Sequence, residues 1–202
     1  MRSLASLAFL ALTFAAAQSP GASVATSKIF AALDIQQGQT VAEIGAGSGE
    51  LTIEAARLVG AGGNVLSSEL GEGRVERLRR AVNNSALAQI TVVEGDPDKT
   101  NFPDACCDAI FMRNVYHHFA NPAAMNASIV RALKPGGRVA IVDFEPNRGR
   151  PEAARPADRA SNESHGTTPT SVAGELKEAG LEVIHTEPGA NRWFMVVARK
   201  PR

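Results

Sequence analysis

The sequence predicts an α/β domain in which helices cover both faces of a mostly parallel sheet. Three observations carry that prediction. Strand-like and helix-like segments alternate from Thr40 to Phe144, the run Cys107 to Met112 is apolar on both faces, and the last two strand-like segments are joined too closely for a parallel return. The 202 residues suffice for one core, and 21 basic residues balance 21 acidic ones. With no net charge and no long like-charge run, a nucleic-acid backbone has little electrostatic support as a partner.

The chain opens on Arg2 and the apolar stretch Leu4 to Ala17, which ends in Ala15-Ala16-Ala17 before Gln18-Ser19-Pro20. A charged start, a short apolar run and a small-residue exit are the marks of a secretory signal peptide. The run is short for a bilayer span. Cleavage is expected after Ala17 or Ala22, so residues 1–22 are read as a signal peptide or membrane-associated leader with its linker, and 23–202 as one domain. A cleaved leader implies a periplasmic or secreted protein. A retained one implies association with the membrane from the cytoplasmic side.

Ser27 to Leu33 reads as a short helix stopped before Gly38, and Thr40 to Ile44 as the first strand. From Gly49 the spacing changes, with Leu51, Ile53, Ala55, Ala56 and Leu58 on more than one helical face, until Gly60 to Gly63 end the helix. Val65 to Glu69 is the second strand, Arg74 to Ala81 a helix, and Ile90 to Val93 the third strand, closed by Glu94-Gly95-Asp96-Pro97. The fourth strand begins at Cys107. Its two cysteines are adjacent, so no loop-closing disulfide can be drawn from them, and Cys107 reads as a small buried hydrophobe. Pro122 to Leu133 is helical, Lys134-Pro135-Gly136-Gly137 stops it, and Arg138 to Phe144 is the fifth strand. Glu145 to Thr167 then carries few large apolar groups, as a loop over a site or a surface excursion would. Pro169 to Ala179 is the last helix. Leu181 to Ile184 and Phe194 to Ala198, linked through Pro188 to Asn191, form an antiparallel hairpin.

The chemistry concentrates where strands end. Glu43-Ile44-Gly45-Ala46-Gly47-Ser48-Gly49 joins the first strand to its helix, and glycines there let backbone N–H groups approach a ligand. Counted from Gly45, the sixth position is Glu50, where a dinucleotide fingerprint wants glycine and where a carboxylate would repel a pyrophosphate. No Gly-Lys-Ser/Thr sequence follows, which removes a nucleotide-triphosphate loop. Glu69, twenty residues after Gly49, ends the second strand and can accept both hydroxyls of a ribose held over the glycines. Asp96 ends the third strand in Gly-Asp-Pro and could orient an adenine amine or its neighbouring waters. Open parallel sheets bind ligands at this carboxyl edge.

These residues, followed by Arg113-Asn114-Val115-Tyr116-His117-His118 and then Leu133-Lys134-Pro135-Gly136-Gly137, occur in an order that resembles the class I S-adenosylmethionine-dependent methyltransferases. The likeness is to the bacterial small-molecule type with a generic methyltransferase domain, and it extends from about Ser27 to the terminal hairpin. It implies a Rossmann-like, seven-stranded, mostly parallel sheet with an antiparallel terminal strand in a three-layer α/β/α arrangement. It also implies S-adenosyl-L-methionine as cofactor, with Glu43 near its methionine part, Gly45, Gly47 and Gly49 around it, Glu69 on the ribose, Asp96 at the adenine and Asn114 at the methyl-transfer pocket.

Methyl transfer needs no metal, and none is expected. Tyr116, His117 and His118 are the candidate catalytic residues, one of them orienting the acceptor or removing its proton. Arg113 attracts an acidic substrate or pairs with a surface acid, and His165 closes over the pocket or stays in a solvated loop. The acceptor is expected to be a small organic molecule. Base methylation is disfavoured by the lack of an Asn/Asp-Pro-Pro-Tyr/Phe sequence after the fourth strand, and arsenite methylation by the lack of separated cysteines. Quinone-biosynthesis methyltransferases are similar mainly over the cofactor half. The alternatives are a catalytically inactive methyltransferase-like binding or interaction protein and, on a related fold, a nicotinamide-dependent oxidoreductase.

Overall fold

A computed structural model describes residues 24–160, 165–189 and 191–202. In chain order the elements are α1 (Thr26–Leu33), β1 (Thr40–Ile44), α2 (Glu50–Val59), β2 (Asn64–Glu69), α3 (Glu72–Ser85), β3 (Ile90–Glu94), β4 (Cys107–Arg113), α4 (Pro122–Ala132), β5 (Leu133–Phe144), α5 (Pro169–Glu178), β6 (Glu182–Pro188) and β7 (Trp193–Arg199). Single 3-10 turns lie at Tyr116–His118 and Pro156–Asp158. The seven strands form one sheet in the order β3-β2-β1-β4-β5-β7-β6. β1 to β5 pair in parallel, and β7 is antiparallel to both β5 and β6.

Alternation along β4 shows why its sequence is apolar throughout. Ala109 and Phe111 face the layer of α1, α2 and α3, joining Ile29, Leu51, Leu78 and Val142. Ile110 and Met112 face the layer of α4 and α5, joining Ile129, Leu176 and Phe194. A strand with both faces under helices has no side left for polar residues.

Several boundaries differ from the sequence reading. The helix α3 starts before Arg74 and continues through Asn83, Asn84 and Ser85, where the Ser85 hydroxyl bonds the Val82 carbonyl at 2.6 Å and Ala86 ends the helix in a left-handed conformation. Lys134 to Gly137 do end α4, yet they also belong to β5, because Leu133 already pairs with Cys107 and the register shifts before Ala109 pairs with Arg138. β6 extends to Pro188, which an edge strand tolerates because one side of it needs no ladder bonds. Cys106 and Cys107 are joined to each other, a disulfide that closes no loop, and Cys107 is fully buried as expected.

The leader expected over residues 1–22, with its cleavage points, lies outside the described residues. The expectation of membrane association is corrected as far as the described residues go. Among the described residues no helix is long and apolar enough to cross a membrane.

Candidate functional site

The strand order reverses between β1 and β4: the chain builds outward from β1 to β2 and β3, then crosses back to β4 and β5. Such a switch point opens a crevice at the carboxyl ends of the strands. Pairing of β1 with β4 reaches Glu43 opposite Phe111, after which both chains turn away through backbone at positive φ, 71° at Gly45 and 62° at Asn114. A cavity of about 650 Å³ lies there, a size suited to a nucleoside-sized ligand. Glu43, Gly45, Gly47, Glu69, Asp96 and Asn114 all line it.

The glycine turn is pinned from below. The N–H groups of Gly45 and Ala46 both donate to the Ser68 carbonyl at 2.9 Å, tying the turn to the end of β2. A Cβ at Gly45 would lie 2.5 Å from a Val115 methyl, so only glycine fits between the turn and the segment after β4. Over Gly47 the space is open, with no atom within 4 Å of where a Cβ would stand. Its N–H donates to Glu69 Oε2 at 2.7 Å, while Glu69 Oε1 accepts from the Leu70 N–H at 2.8 Å and lies 3.4 Å from Arg74 Nε. The Glu69 carboxylate is thus oriented at the cavity wall by the turn itself. Gly49 has a different place: it is absent from the cavity lining, caps α2 at φ 82°, and a Cβ there would approach Leu78 to 3.0 Å. That glycine serves helix packing.

Glu43 is buried at the cavity floor. Its carboxylate accepts from the Thr52 hydroxyl, which is itself 2.6 Å from Ser67 Oγ. Burial pushes the Glu43 carboxyl up to about 8, against the opposing pull of the Thr52 hydrogen bond and the positive charge of Arg113. An unliganded site therefore holds this acid neutral near pH 7, and a cation arriving beside it would favour the ionised form. Asp96 Oδ1 accepts from the Asp98 N–H at 2.9 Å, and Arg113 lines the cavity wall.

The three candidate catalytic residues separate. Tyr116 is fully buried and does not line the cavity; its hydroxyl donates to Glu175 at 2.9 Å and accepts from Asn126 Nδ2 at 2.8 Å, and burial raises its pKa far above the usual phenol range. His117 is also fully buried. Its backbone N–H donates to Asp143 Oδ2 at 3.0 Å and its ring Nδ1 lies 2.8 Å from Asp143 Oδ1, so the carboxylate fixes Nδ1 as the protonated nitrogen and turns Nε2 outward. His118 does line the cavity, and burial followed by the neighbouring His117 and His165 rings holds its pKa below the ordinary imidazole value.

Sequence reasoning missed Asp143 altogether. The available signal was an acid at the carboxyl end of the otherwise apolar run Val139 to Phe144, the same kind of position that singled out Glu69 and Asp96. It also left His165 between a pocket and a solvated loop, and the structure sets His165 Nε2 3.0 Å from His117 Nε2. The described part of the segment after β5 does not line the cavity; it is anchored by charge. Arg159, 5% exposed, lies 2.9 Å from Glu152 and 2.6 Å from Glu175, and Glu152 also accepts from the Thr167, Thr168 and Ser171 hydroxyls.

Residues 42–141 match the family model described as a methyltransferase domain. A ubiquinone/menaquinone biosynthesis C-methyltransferase, UbiE, of Azotobacter vinelandii is 30% identical over 111 residues, covering 54% of this chain and 44% of that protein. The matched region spans less than half the length of the curated relatives. Among solved structures, an S-adenosylmethionine-dependent methyltransferase from Aquifex aeolicus is 25% identical with a TM-score of 0.73, covering 86% of this chain and 88% of that one. The [4+2]-cyclase SpnF, 16% identical, shares the fold with a TM-score of 0.75 over 87% of this chain and 80% of its own.

Proposed function

This chain carries a class I S-adenosylmethionine-dependent methyltransferase domain with S-adenosylmethionine as its cofactor, and from that premise we propose that it transfers the methyl group to a small organic acceptor by direct substitution. The observation that carries the reading is the bond from the Gly47 N–H to Glu69 in a cavity also walled by Glu43, Asp96 and Asn114. When bound, the sulfonium supplies an electrophilic methyl group, so the protein's task is alignment and exclusion of water.

In this reading Glu69 accepts the ribose hydroxyls, Asp96 meets the adenine, and Glu43 stands near the methionine part. The open space above Gly47 lets the backbone approach the ligand without a side chain between. His118 and Arg113, with Asn114 between strand end and cavity, are the groups left to meet an acceptor. Its lowered pKa keeps the His118 imidazole neutral near pH 7 and therefore able to take a proton from an acceptor oxygen, nitrogen or sulfur. His117 is fully buried and does not line the cavity, so it would not itself touch an acceptor. Tyr116 has no part in the reaction here; it ties α4 to α5 through Asn126 and Glu175.

The test is turnover of a panel of small thiols, phenols, amines and acids, read as S-adenosylhomocysteine formed. Gly47→Arg fills the open space above the turn and should abolish both uptake and turnover while the protein stays folded. Uptake of the methyl donor with no product from any acceptor would favour the inactive binding protein. Unchanged uptake by folded Gly47→Arg would contradict the placement of the ligand.

A further inference from the structure

Three of the chain's four histidines, distant in sequence, meet at one point. His117 and His118 stand in the 3-10 turn after β4, and His165 comes from the segment between β5 and α5. One ligand nitrogen from each lies within 4.8 Å of the other two, and the His117 and His165 Nε2 atoms are 3.0 Å apart. We propose that His117, His118 and His165 form a binding site for a divalent transition-metal ion of the zinc type, beside the cavity that His118 lines.

The donor chemistry is all imidazole, a set that suits zinc, copper, iron or nickel and has no carboxylate oxygen to favour magnesium or calcium. Zinc–nitrogen bonds of about 2.0–2.1 Å in a tetrahedron place the donor atoms about 3.3 Å from one another. The His117–His165 pair is already near that spacing. The third ring, His118, is exposed, and a rotation of its side chain would have to close the remaining distance.

The cluster also has the supporting structure that metal sites use. Asp143, fully buried, accepts hydrogen bonds from the Nδ1–H and the backbone N–H of His117, which fixes the tautomer that offers Nε2 to an ion. Phe144 packs against both His117 and His165, with ring centroids 4.8 and 5.1 Å apart. The backbone beside His165 is fastened where it leaves the loop: the Gly166 N–H donates to the Arg159 carbonyl and the Thr167 N–H to the Phe144 carbonyl, each at 3.0 Å. Gly166 is required there, since its φ is 129° and a Cβ would sit 2.7 Å from the Phe144 carbonyl oxygen.

Three protein donors leave a fourth position open, the arrangement of ions that bind a water or a substrate. His118 also lines the cavity, so an ion held by it would lie close to the space assigned to the acceptor. An ionised oxygen or sulfur would complete the site; with the ion bound, His118 is a ligand and no longer the base, and the positive charge of the ion would instead favour loss of the acceptor's proton. This last step rests on the methyl-transfer reading, whereas the ion site does not.

The experiment uses the full chain, freed of metal with a chelator and titrated with Co2+ and then Zn2+, with S-adenosylmethionine uptake measured on the same samples. One equivalent of Co2+ should produce the visible absorption of a four- or five-coordinate ion, and Zn2+ should displace it. His118→Ala and His165→Ala should each weaken Zn2+ binding at least tenfold, whereas His185→Ala, which alters the exposed histidine outside the cluster, should leave it unchanged. Absence of the Co2+ bands, wild-type affinity in both cluster variants, or loss of binding in His185→Ala would overturn the site. Any of these with donor uptake intact overturns the ion site alone. Loss of donor uptake with the Co2+ bands intact strikes the proposed function instead.

Discussion

Glu43 is the residue at which sequence position and solvent exclusion act together most plainly. Its place at the end of β1 was readable from the chain, but the need to keep it neutral was not, because that comes from burial beneath Thr52 and Ser67. With a carboxyl pKa of about 8 in the free protein, uptake of the cationic methyl donor beside an ionised Glu43 must release a proton at lower pH. Donor affinity should therefore rise with pH by up to about tenfold per unit below 8 and level off above it. Glu43→Gln should flatten that rise in a calorimetric series from pH 6 to 8.5; an equally steep rise in the variant would remove Glu43 from the account. Stability of the free protein moves the opposite way. The native acid holds its proton from the ordinary carboxyl value of 4.5 up to about 8 while the unfolded one does not, so this group's contribution declines across that interval as pH rises. Gly47 and Glu69 were legible as a pair because a glycine turn and a strand-end acid are local signals. The gathering of His117, Asp143 and His165 was not, since it depends on where a loop returns.

Among the elements, strands and helices that alternate over both faces were read correctly in kind and order, from apolar periodicity and from the residues that stop each segment. Their ends were less legible. Leu133 to Gly137 carries helix-ending residues, and only its pairing with Cys107 makes it strand. The segment after β5 could be read two ways, because its order depends on partners far along the chain. Arg159 joins Glu152 to Glu175 on α5, and both carboxylates are mostly out of solvent. Removing the guanidinium leaves those acids without a counter-charge, so Arg159→Met should lower unfolding free energy by about 3 kcal/mol. It should also loosen the segment that delivers His165. Chemical denaturation together with hydrogen exchange over residues 145–168 reads both effects. Wild-type stability and unchanged exchange would show that the ion network does not hold the loop.

At the scale of the molecule, the chain's order of strands and helices implies a parallel sheet closed by an antiparallel hairpin, and the seven-stranded order β3-β2-β1-β4-β5-β7-β6 agrees. Which strands are neighbours follows from crossovers that no local pattern records. The reversal of order at β1 and β4 then gathers Glu43, Glu69, Asp96 and Asn114 at one edge although they span 72 positions of sequence. The fold alone leaves the reaction open, as its likeness to a [4+2]-cyclase illustrates, so the weight rests on the ligand held at that edge. Equilibrium dialysis of the folded full-length chain against labelled S-adenosylmethionine measures this directly. The account predicts saturable uptake at one site per chain, weakened at least tenfold in Glu69→Ala; no uptake by the folded chain at millimolar ligand would contradict it.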